Sequence, residues 1–247
     1  MRIVGLGGGI GASRLWRALA GAVPLESLTL VVNTGDDLWY YGLRVYPDLD
    51  TTVYALAGRQ DTERGWGVRG ESWRCMAALR SLGQALGHEV WFNLGDTDLA
   101  THLLRTGLLR EGTGLAEVTA RLAAAMGVRA RVLPMTEDEV TTRVEVAGGR
   151  TLHYEEFLVR HSAAPAVQRV IYEGAGRATP APGVLDALAE ADLVVLGPSN
   201  PLASIAPILA VPALRPALRA RRAEIVAVSP IVAGTPITDP GEQRRAA

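Results

Sequence analysis

Lysine is absent from this sequence of 247 residues, so all 25 of its Lys-or-Arg side chains are arginines. A P-loop needs Gly-Lys-Ser/Thr to grip phosphate, and Schiff-base catalysis needs a lysine amine. The composition therefore excludes both chemistries. Anions must be bound by arginine side chains, by backbone N–H groups or through a metal ion.

Cysteine is nearly absent as well, since Cys75 is the single one. It cannot form an internal disulfide, and no Cys/His spacing resembles a zinc site. No apolar run approaches the ~18 residues of a membrane span, and no signal-peptide pattern follows Met1. We therefore expect a soluble cytoplasmic protein that does not bind a membrane.

Neither sign of charge is in excess, because 25 arginines against 26 acidic residues give a formal net charge of −1. Without a run of basic residues we expect no nucleic-acid partner. The length suits one α/β domain with its own core. We predict a single domain over residues 1–247.

Apolar runs alternate with helical patterns along most of the chain. The first run, residues 2–6, ends in glycines, and the helical pattern of residues 9–23 follows it. A second run, residues 28–32, ends at Asp36-Asp37. Strand, glycine turn, helix and strand are the opening of a Rossmann-like, mostly parallel sheet flanked by helices. Further strands are expected at 90–94, 130–133, 193–196 and 225–228, and further helices near 76–86, 99–104, 115–126 (with Thr113 available as its N-cap) and 184–191.

The period changes to two between Val140 and Val159, where Gly148-Gly149 supplies a tight turn. This pattern predicts an antiparallel hairpin inserted into the α/β core at about residues 136–178.

The glycine turn fits Gly-x-Gly-x-x-Ala at Gly7, Gly9 and Ala12. Glycines let the backbone approach a phosphate, and the following helix offers free N–H groups and a positive dipole end. The same glycines could instead serve close helix packing. The pattern alone leaves both interpretations open.

Acidic residues follow two neighbouring segments. Asp36 could bind a ribose, as in a nicotinamide oxidoreductase. However, Asp37, Asp48 and Asp50 lie nearby in sequence, and clustered acids repel one another unless a divalent cation lies between them. Solvated turn and N-cap aspartates are the simpler alternative.

Later loops carry further polar candidates. Asp96 and Asp98 could be ligands or helix caps, and we expect His102 to face the surface. The loop 197–201 places Ser199 and Asn200 where open α/β sheets bind ligands, although a plain turn explains it equally well. Ser204 could cap a helix or contact phosphate; His88, His153 and His161 have no identifiable partner.

Seven segments form an ordered set that runs through nearly the whole chain. They are Gly8-Gly9-Ile10-Gly11-Ala12-Ser13-Arg14, Val31-Val32-Asn33-Thr34-Gly35-Asp36-Asp37, Pro47-Asp48-Leu49-Asp50-Thr51, Leu94-Gly95-Asp96-Thr97-Asp98-Leu99-Ala100-Thr101-His102-Leu103, Leu133-Pro134-Met135, Gly197-Pro198-Ser199-Asn200-Pro201 and Val228-Ser229-Pro230-Ile231-Val232-Ala233-Gly234. Together they resemble the CofD/FbiA family, the 2-phospho-L-lactate or phosphoenolpyruvate transferases of coenzyme F420 biosynthesis. As an ordered set, the resemblance is highly specific.

The resemblance implies a Rossmann-like core that binds a guanosine diphosphate-linked donor and a deazaflavin alcohol called Fo. The ribityl hydroxyl of Fo would attack the donor phosphorus beside the three-carbon acid, and GMP would leave. Mg²⁺ would neutralise the diphosphate and hold the attacking oxygen in line.

Site residues are carried over by position. Asp36 and Asp50 are the expected metal ligands and catalytic residues. The other expected substrate-binding residues are Gly8, Gly9 and Gly11 at the donor phosphate, Ser199 and Asn200 at the guanosine, Arg14 at the family's cationic position, and Asn33, Asp37, Asp96, Thr97 and Ser204.

Two departures from the family pattern stand out. Thr97 replaces an arginine of the family's Gly-Asp-Arg-Asp motif that is implicated in Fo binding. The family also continues well past its Ser-Pro-Ile segment, so we expect a shortened C-terminal segment to affect activity. A homodimer is the default expectation for such an enzyme.

Another class remains open, a CofD-like regulatory protein that binds nucleotide sugars without transfer activity. Such relatives follow the second strand with Asp-Asp-Gly-Gly-Ser-Ser, whereas here Leu38-Trp39-Tyr40 follows Asp36-Asp37. This difference favours the transferase. A nicotinamide oxidoreductase is the third interpretation.

Overall fold

The computed structural model describes residues 1–233 and 235–236, with strands and helices alternating along most of this length. The strands are β1 (Ile3–Gly7), β2 (Leu28–Val32), β3 (Leu38–Tyr40), β4 (Leu43–Val45), β5 (Arg131–Pro134), β6 (Thr141–Val146), β7 (Arg150–His153), β8 (Val167–Glu173), β9 (Leu193–Leu196), β10 (Ile225–Ala227), β11 (Ile231–Val232) and β12 (Thr235–Pro236). The α-helices are α1 (Gly9–Ala22), α2 (Pro47–Leu56), α3 (Arg74–Leu86), α4 (Asp96–Arg110), α5 (Leu115–Ala125), α6 (Val184–Glu190), α7 (Ala206–Ala210) and α8 (Leu214–Ala220). Short 3₁₀ segments cover Leu25–Ser27, Ala175–Arg177 and Arg222–Glu224, and π-helical turns cover Glu156–Arg160 and Pro201–Ile205.

Five strands form one parallel sheet in the order β10-β9-β1-β2-β5. The strand order changes direction at β1, and its carboxyl end is the place where such sheets bind ligands. The predicted Rossmann-like α/β class is confirmed.

Side chains of the central strands alternate between two hydrophobic clusters on opposite faces of the sheet. Val4 and Leu6 pack into one cluster, while Ile3 packs into the other beside Trp16. Gly5 must lack a side chain, because a Cβ there would overlap the Trp16 ring. The glycines of β1 thus bring α1 close to the sheet.

The antiparallel insertion has three strands instead of the two of a hairpin. Gly148 and Gly149 form the turn between β6 and β7, both with positive φ. β8 adds a third strand on the other edge of β6, and Glu156–Arg160 is a π-helical turn instead of strand. Ser162 and Ala163 follow it in the left-handed region.

Two local predictions were wrong. Residues 90–94 form no strand, because Phe92 and Leu94 pack against the β3–β4 hairpin through side chains and not through a strand ladder. Thr113 does not cap α5: Gly114 holds the N-cap position, and the Glu137 carboxylate accepts from Ala116 N at 2.8 Å.

No helix in the described part of the chain has both the length and the apolar character to span a membrane by itself. The segments Pro201–Ala210 and Leu214–Ala220 meet that test only together, with a bend of 92° between them.

Candidate active site

The glycine turn after β1 lies against the loop that follows β9. Ser199 Oγ is 3.0 Å from Gly8 N, from which it accepts, and 2.9 Å from Gly8 O, to which it donates. A Cβ on Gly11 would overlap the Pro198 carbonyl oxygen, and one on Gly8 would overlap the Asp48 carboxylate. These two glycines are therefore required by close approach.

A cavity of about 580 Å³ opens above this turn, at the carboxyl end of the parallel strands. It is called the large cavity below. The antiparallel insertion forms its opposite wall. Its polar lining residues are Asp36, Asp48, Thr51, Tyr154, Glu155, Ser199, Asn200 and Ser204, beside Gly8, Gly9 and Gly11.

Asn33 brings two carboxylates of this cavity together. Its Nδ2 donates to Asp36 Oδ1 at 3.1 Å and to Asp48 Oδ2 at 2.9 Å, while its Oδ1 accepts from Gly35 N. Ser204 and the backbone of Gly9 also donate to Asp48. Asn33 thus holds the Asp36 and Asp48 carboxylates close together.

The carboxyl groups in the large cavity resist ionisation. Burial raises the pKa of Asp36 well above its usual value, and the charges of Asp48, Glu155 and Asp37 raise it further. Burial also raises the pKa of Asp48 to about 6, although Asn33 and Ser204 work against this. Burial, with Asp48, raises the pKa of Glu155 to about 8. The three acids therefore lie in one buried region, where the charged form of each is disfavoured.

A smaller cavity of about 170 Å³ adjoins the first and shares Pro47, Thr51, Glu155 and Leu158 with it. Apolar and aromatic side chains, including Trp66 and Phe92, line one part of this small cavity, and polar side chains line the rest. Those polar residues include Asp50, Tyr54, Asp98 and His102.

Asp50 does not share a donor with Asp36. It forms an ion pair with Arg105, whose Nη1 donates to Asp50 Oδ2 at 2.9 Å and whose Nη2 donates to Oδ1. Both side chains are buried, and the Asp50 charge raises the pKa of Arg105 although burial alone would lower it. Asn33 therefore joins Asp36 to Asp48, an acid of the predicted cluster, and not to Asp50, which was the expected second metal ligand.

His102 is buried, so the expectation of a surface position was wrong. Its exposed fraction is 1%, and its Nε2 lies 3.2 Å from Asp98 Oδ1. Tyr54 donates to the same carboxylate at 2.6 Å. Helix α4 turns polar residues inward, where they contact Asp50 and Tyr54 of α2, and it exposes Leu103 and Leu104.

Asp96 and Asp98 belong to different environments. Asp96 accepts from Ser72 Oγ and from the backbone of Arg74 and Cys75, so it caps α3. Asp98 is buried beside the small cavity. The cap of α4 comes from Glu71, which accepts from the backbone N of both Thr97 and Asp98.

Several expected substrate-binding residues lie apart from the two cavities. Arg14 is exposed on α1 and Thr97 is exposed at the start of α4; neither lines a cavity. Asp37 is buried, and its carbonyl oxygen contacts His153 Nε2 at 3.0 Å. Asn200 lines the large cavity but uses its Oδ1 to cap Pro201–Ile205, accepting from Leu202 N at 2.9 Å.

Glu155 and Arg105 were not among the residues predicted from the sequence. Glu155 stands beside a second glutamate, Glu156, and no pattern in the sequence distinguishes the two. Arg105 follows His102 by three residues and so lies on its face of α4. Within the described ranges, no three His, Cys, Asp or Glu side chains are grouped so as to hold a metal ion by themselves.

Comparison with known proteins agrees with this architecture. A family model described as 2-phospho-L-lactate transferase CofD matches residues 3–246. A phosphoenolpyruvate transferase from Kitasatospora aureofaciens is 46% identical over 241 residues, which cover 96% of this chain and 74% of that protein. One from Mycobacterium sp. (strain KMS) is 41% identical over 255 residues, covering 96% of this chain and 76% of the relative.

A solved structure shares the fold. A member of the UPF0052 family from Bacillus halodurans has a TM-score of 0.59 and 23% identity, covering 88% of this chain. This chain spans 64% of the length of that structure. At this identity the likeness concerns the fold alone.

Taken with the fold and the site, these matches define a transferase of coenzyme F420 biosynthesis that acts on small molecules. The chain belongs to the CofD family, as the ordered segments predicted.

Proposed function

We propose that this chain transfers a phosphoenolpyruvyl group from a guanosine diphosphate-linked donor to the ribityl hydroxyl of Fo, releasing GMP. The observation that carries the proposal is the meeting of the glycine turn, a carboxylate-lined large cavity and an aromatic small cavity at one end of the sheet. Relatives named phosphoenolpyruvate transferase support this three-carbon acid over 2-phospho-L-lactate.

The large cavity suits the donor. Its volume of about 580 Å³ lies within the usual range for small-molecule sites. Gly8, Gly9 and Gly11 let phosphate approach the backbone at the start of α1. Since the Asp48 carboxylate lies against the same glycines, a divalent cation would have to separate it from the phosphate. Ser199 and Asn200 line the same cavity and would contact the guanosine part.

The carboxylates fit a divalent cation shared with the donor. Mg²⁺ prefers hard oxygen ligands and usually takes one or two carboxylates together with substrate phosphates. Asp36 and Asp48 would hold it, since Asn33 fixes both side chains and burial raises the pKa of both in the absence of a cation. When bound, the ion would neutralise diphosphate charge. Asp50 would instead keep Arg105 in place.

We assign the small cavity to the aromatic ring of the deazaflavin acceptor alone, since its volume of about 170 Å³ is below the usual range for a whole ligand. Trp66 and Phe92 offer aromatic surface for a planar ring. Asp98 and His102 offer polar groups for its edge. Because the cavities share Thr51 and Glu155, a ring bound in one can extend its ribityl chain toward phosphate bound in the other.

The reaction requires in-line geometry at that junction. An oxygen lone pair of the acceptor hydroxyl forms the new P–O bond, and the bond between this phosphorus and the GMP oxygen breaks. GMP leaves with the electron pair, and the hydroxyl proton is released. This chain contributes by holding both substrates and excluding water.

Purified protein with Mg²⁺, Fo and guanosine diphosphate-linked phosphoenolpyruvate should release GMP and form the Fo conjugate, detected by mass spectrometry. A parallel assay with the guanosine diphosphate-linked phospholactate would give a product heavier by two hydrogen atoms, so comparing the two product yields identifies the acid. Absence of GMP release together with tight UDP-sugar binding by calorimetry would favour the regulatory alternative.

A further inference from the structure

Glu155 is the one acidic residue that lines both cavities in the described part of the chain. It follows β7 and directly precedes the π-helical turn Glu156–Arg160. Its exposed fraction is 6%. The side chain therefore lies at the junction of the two cavities and is shielded from bulk solvent.

Two hydrogen bonds fix the backbone of Glu155 relative to the sheet. Its N donates to His153 Nδ1 at 3.1 Å. The other ring nitrogen, Nε2, lies 3.0 Å from the Asp37 carbonyl oxygen and donates to it. Through His153, Glu155 is held at a set position beside the loop that carries Asp36.

The carboxyl group of Glu155 has no partner among residues 1–233 and 235–236. Within these residues its oxygens accept no hydrogen bond and form no ion pair. By contrast, Asp50 forms an ion pair with Arg105, and Asp48 accepts a hydrogen bond from Asn33. A buried polar group without a partner is costly unless a ligand satisfies it. The group points into the space that substrates would occupy.

Its neighbour in sequence behaves differently. Glu156 pairs with Arg160 at 2.7 Å and lines neither cavity. Of these two adjacent glutamates, Glu156 forms an ion pair and Glu155 does not. The contrast separates Glu155 from the general acidity of the segment.

We propose that Glu155 is a catalytic residue that accepts a hydrogen bond from the attacking hydroxyl of the acceptor and aims it at the donor phosphorus. This assignment rests on the proposed function and identifies a contact at its site. A carboxyl oxygen at the cavity junction is the group available to both substrates. The acceptor class is an alcohol carried on a planar ring.

The test compares Glu155→Ala, Glu155→Gln and the control Glu156→Gln in steady-state turnover with Fo and the guanosine diphosphate-linked donor. Glu155→Ala should lower kcat/KM for Fo by about 100-fold, as expected for a lost positioning or acid–base group. GDP affinity should stay near wild type, and Tm should not fall, because the variant removes a buried carboxyl group that has no partner. Glu155→Gln keeps one acceptor oxygen and should lie in between, while Glu156→Gln should match wild type in kcat/KM.

Each alternative outcome is informative. Turnover of Glu155→Ala equal to wild type overturns the assignment, and equal losses in GDP affinity and Tm show a structural role instead. A wild-type protein that transfers nothing overturns the proposed function and the assignment with it.

Discussion

Arg105 and Asp50 form a two-point ion pair inside the protein, with the guanidinium of α4 facing a carboxylate in the first turn of α2. Both residues are at most 6% exposed. The pair joins the two helices that line the small cavity. Because each charge is shielded from water, neither tolerates loss of the other.

Asp50→Asn should destabilise the fold by about 3–5 kcal/mol, because it leaves Arg105 as an unpaired buried charge. Urea unfolding measures this. The double variant Asp50→Asn with Arg105→Gln removes both charges and should lose less than the sum of the single variants. Additive losses would show that the two charges are not coupled.

Asp36→Asn and Asp48→Asn should each reduce turnover by at least about 100-fold, the scale seen when a transition-state charge-stabilising group is removed. Both variants should raise the Mg²⁺ concentration needed for half-maximal activity. Asp50→Asn is the control, and its magnesium requirement should stay unchanged in whatever fraction remains folded. A raised requirement in Asp50→Asn alone would restore the metal role that the family resemblance gave to Asp50.

Stability without divalent ions should fall as pH rises from about 4 to about 8. The pKa of Asp48 goes from 3.8 to about 6 on folding, and that of Glu155 from 4.5 to about 8. The folded chain binds these protons more tightly than the unfolded chain does. Their contribution to the free energy of unfolding is therefore fully present below the unfolded pKa and is lost as the pH rises through the folded pKa. The slope can reach ~1.4 kcal/mol per pH unit for each group.

Thermal unfolding across this pH range measures the decline. Glu155→Gln should flatten it above pH ~6, where Asp48 is already ionised. Added Mg²⁺ should oppose the decline, since a ligand bound only by the folded state stabilises it. A flat profile for wild type would contradict the raised pKa values.

Gly11→Ala should lower stability by about 1–3 kcal/mol, as overpacking does, because the new Cβ would overlap the Pro198 carbonyl oxygen. GDP affinity should fall with it, since the turn must move. Gly21→Ala in the same helix is the matched control, since its Cβ meets nothing within 4 Å. The stability of the Gly21→Ala variant should rise by about 0.5–1 kcal/mol, because alanine has the higher helix propensity. Equal effects of the two changes would remove the close-approach argument.

Local patterns in the sequence predicted the parallel sheet because each central strand is a continuous apolar run buried on both faces. The glycine turn was predictable from its spacing between a strand and a helix, although the contacts of Gly8 with Asp48 and of Gly11 with Pro198 were not. Residues 90–94 show the limit of this approach. An apolar run does not reveal whether a neighbouring strand is available to pair with it.

The candidate site was only partly predictable. Asp36 was proposed because it lies in the turn that follows β2, whereas the partnership of Asp50 with Arg105 depends on how α2 and α4 meet. The position of His102 followed from the same packing. Glu155 was missed because it reaches the cavities from the insertion, whose placement over the sheet is a tertiary property.

The contact between His153 and the Asp37 carbonyl ties the inserted sheet to the segment after β2. Asp36 lines the large cavity from that segment, and Glu155 lines it from the inserted sheet, two residues after His153. Lengthening the segment after β2 by even one residue would displace both Asp36 and Glu155. Relatives that differ in length there should therefore carry matching changes at the end of β7, and exchanging either part alone between two such proteins should yield a folded but inactive hybrid.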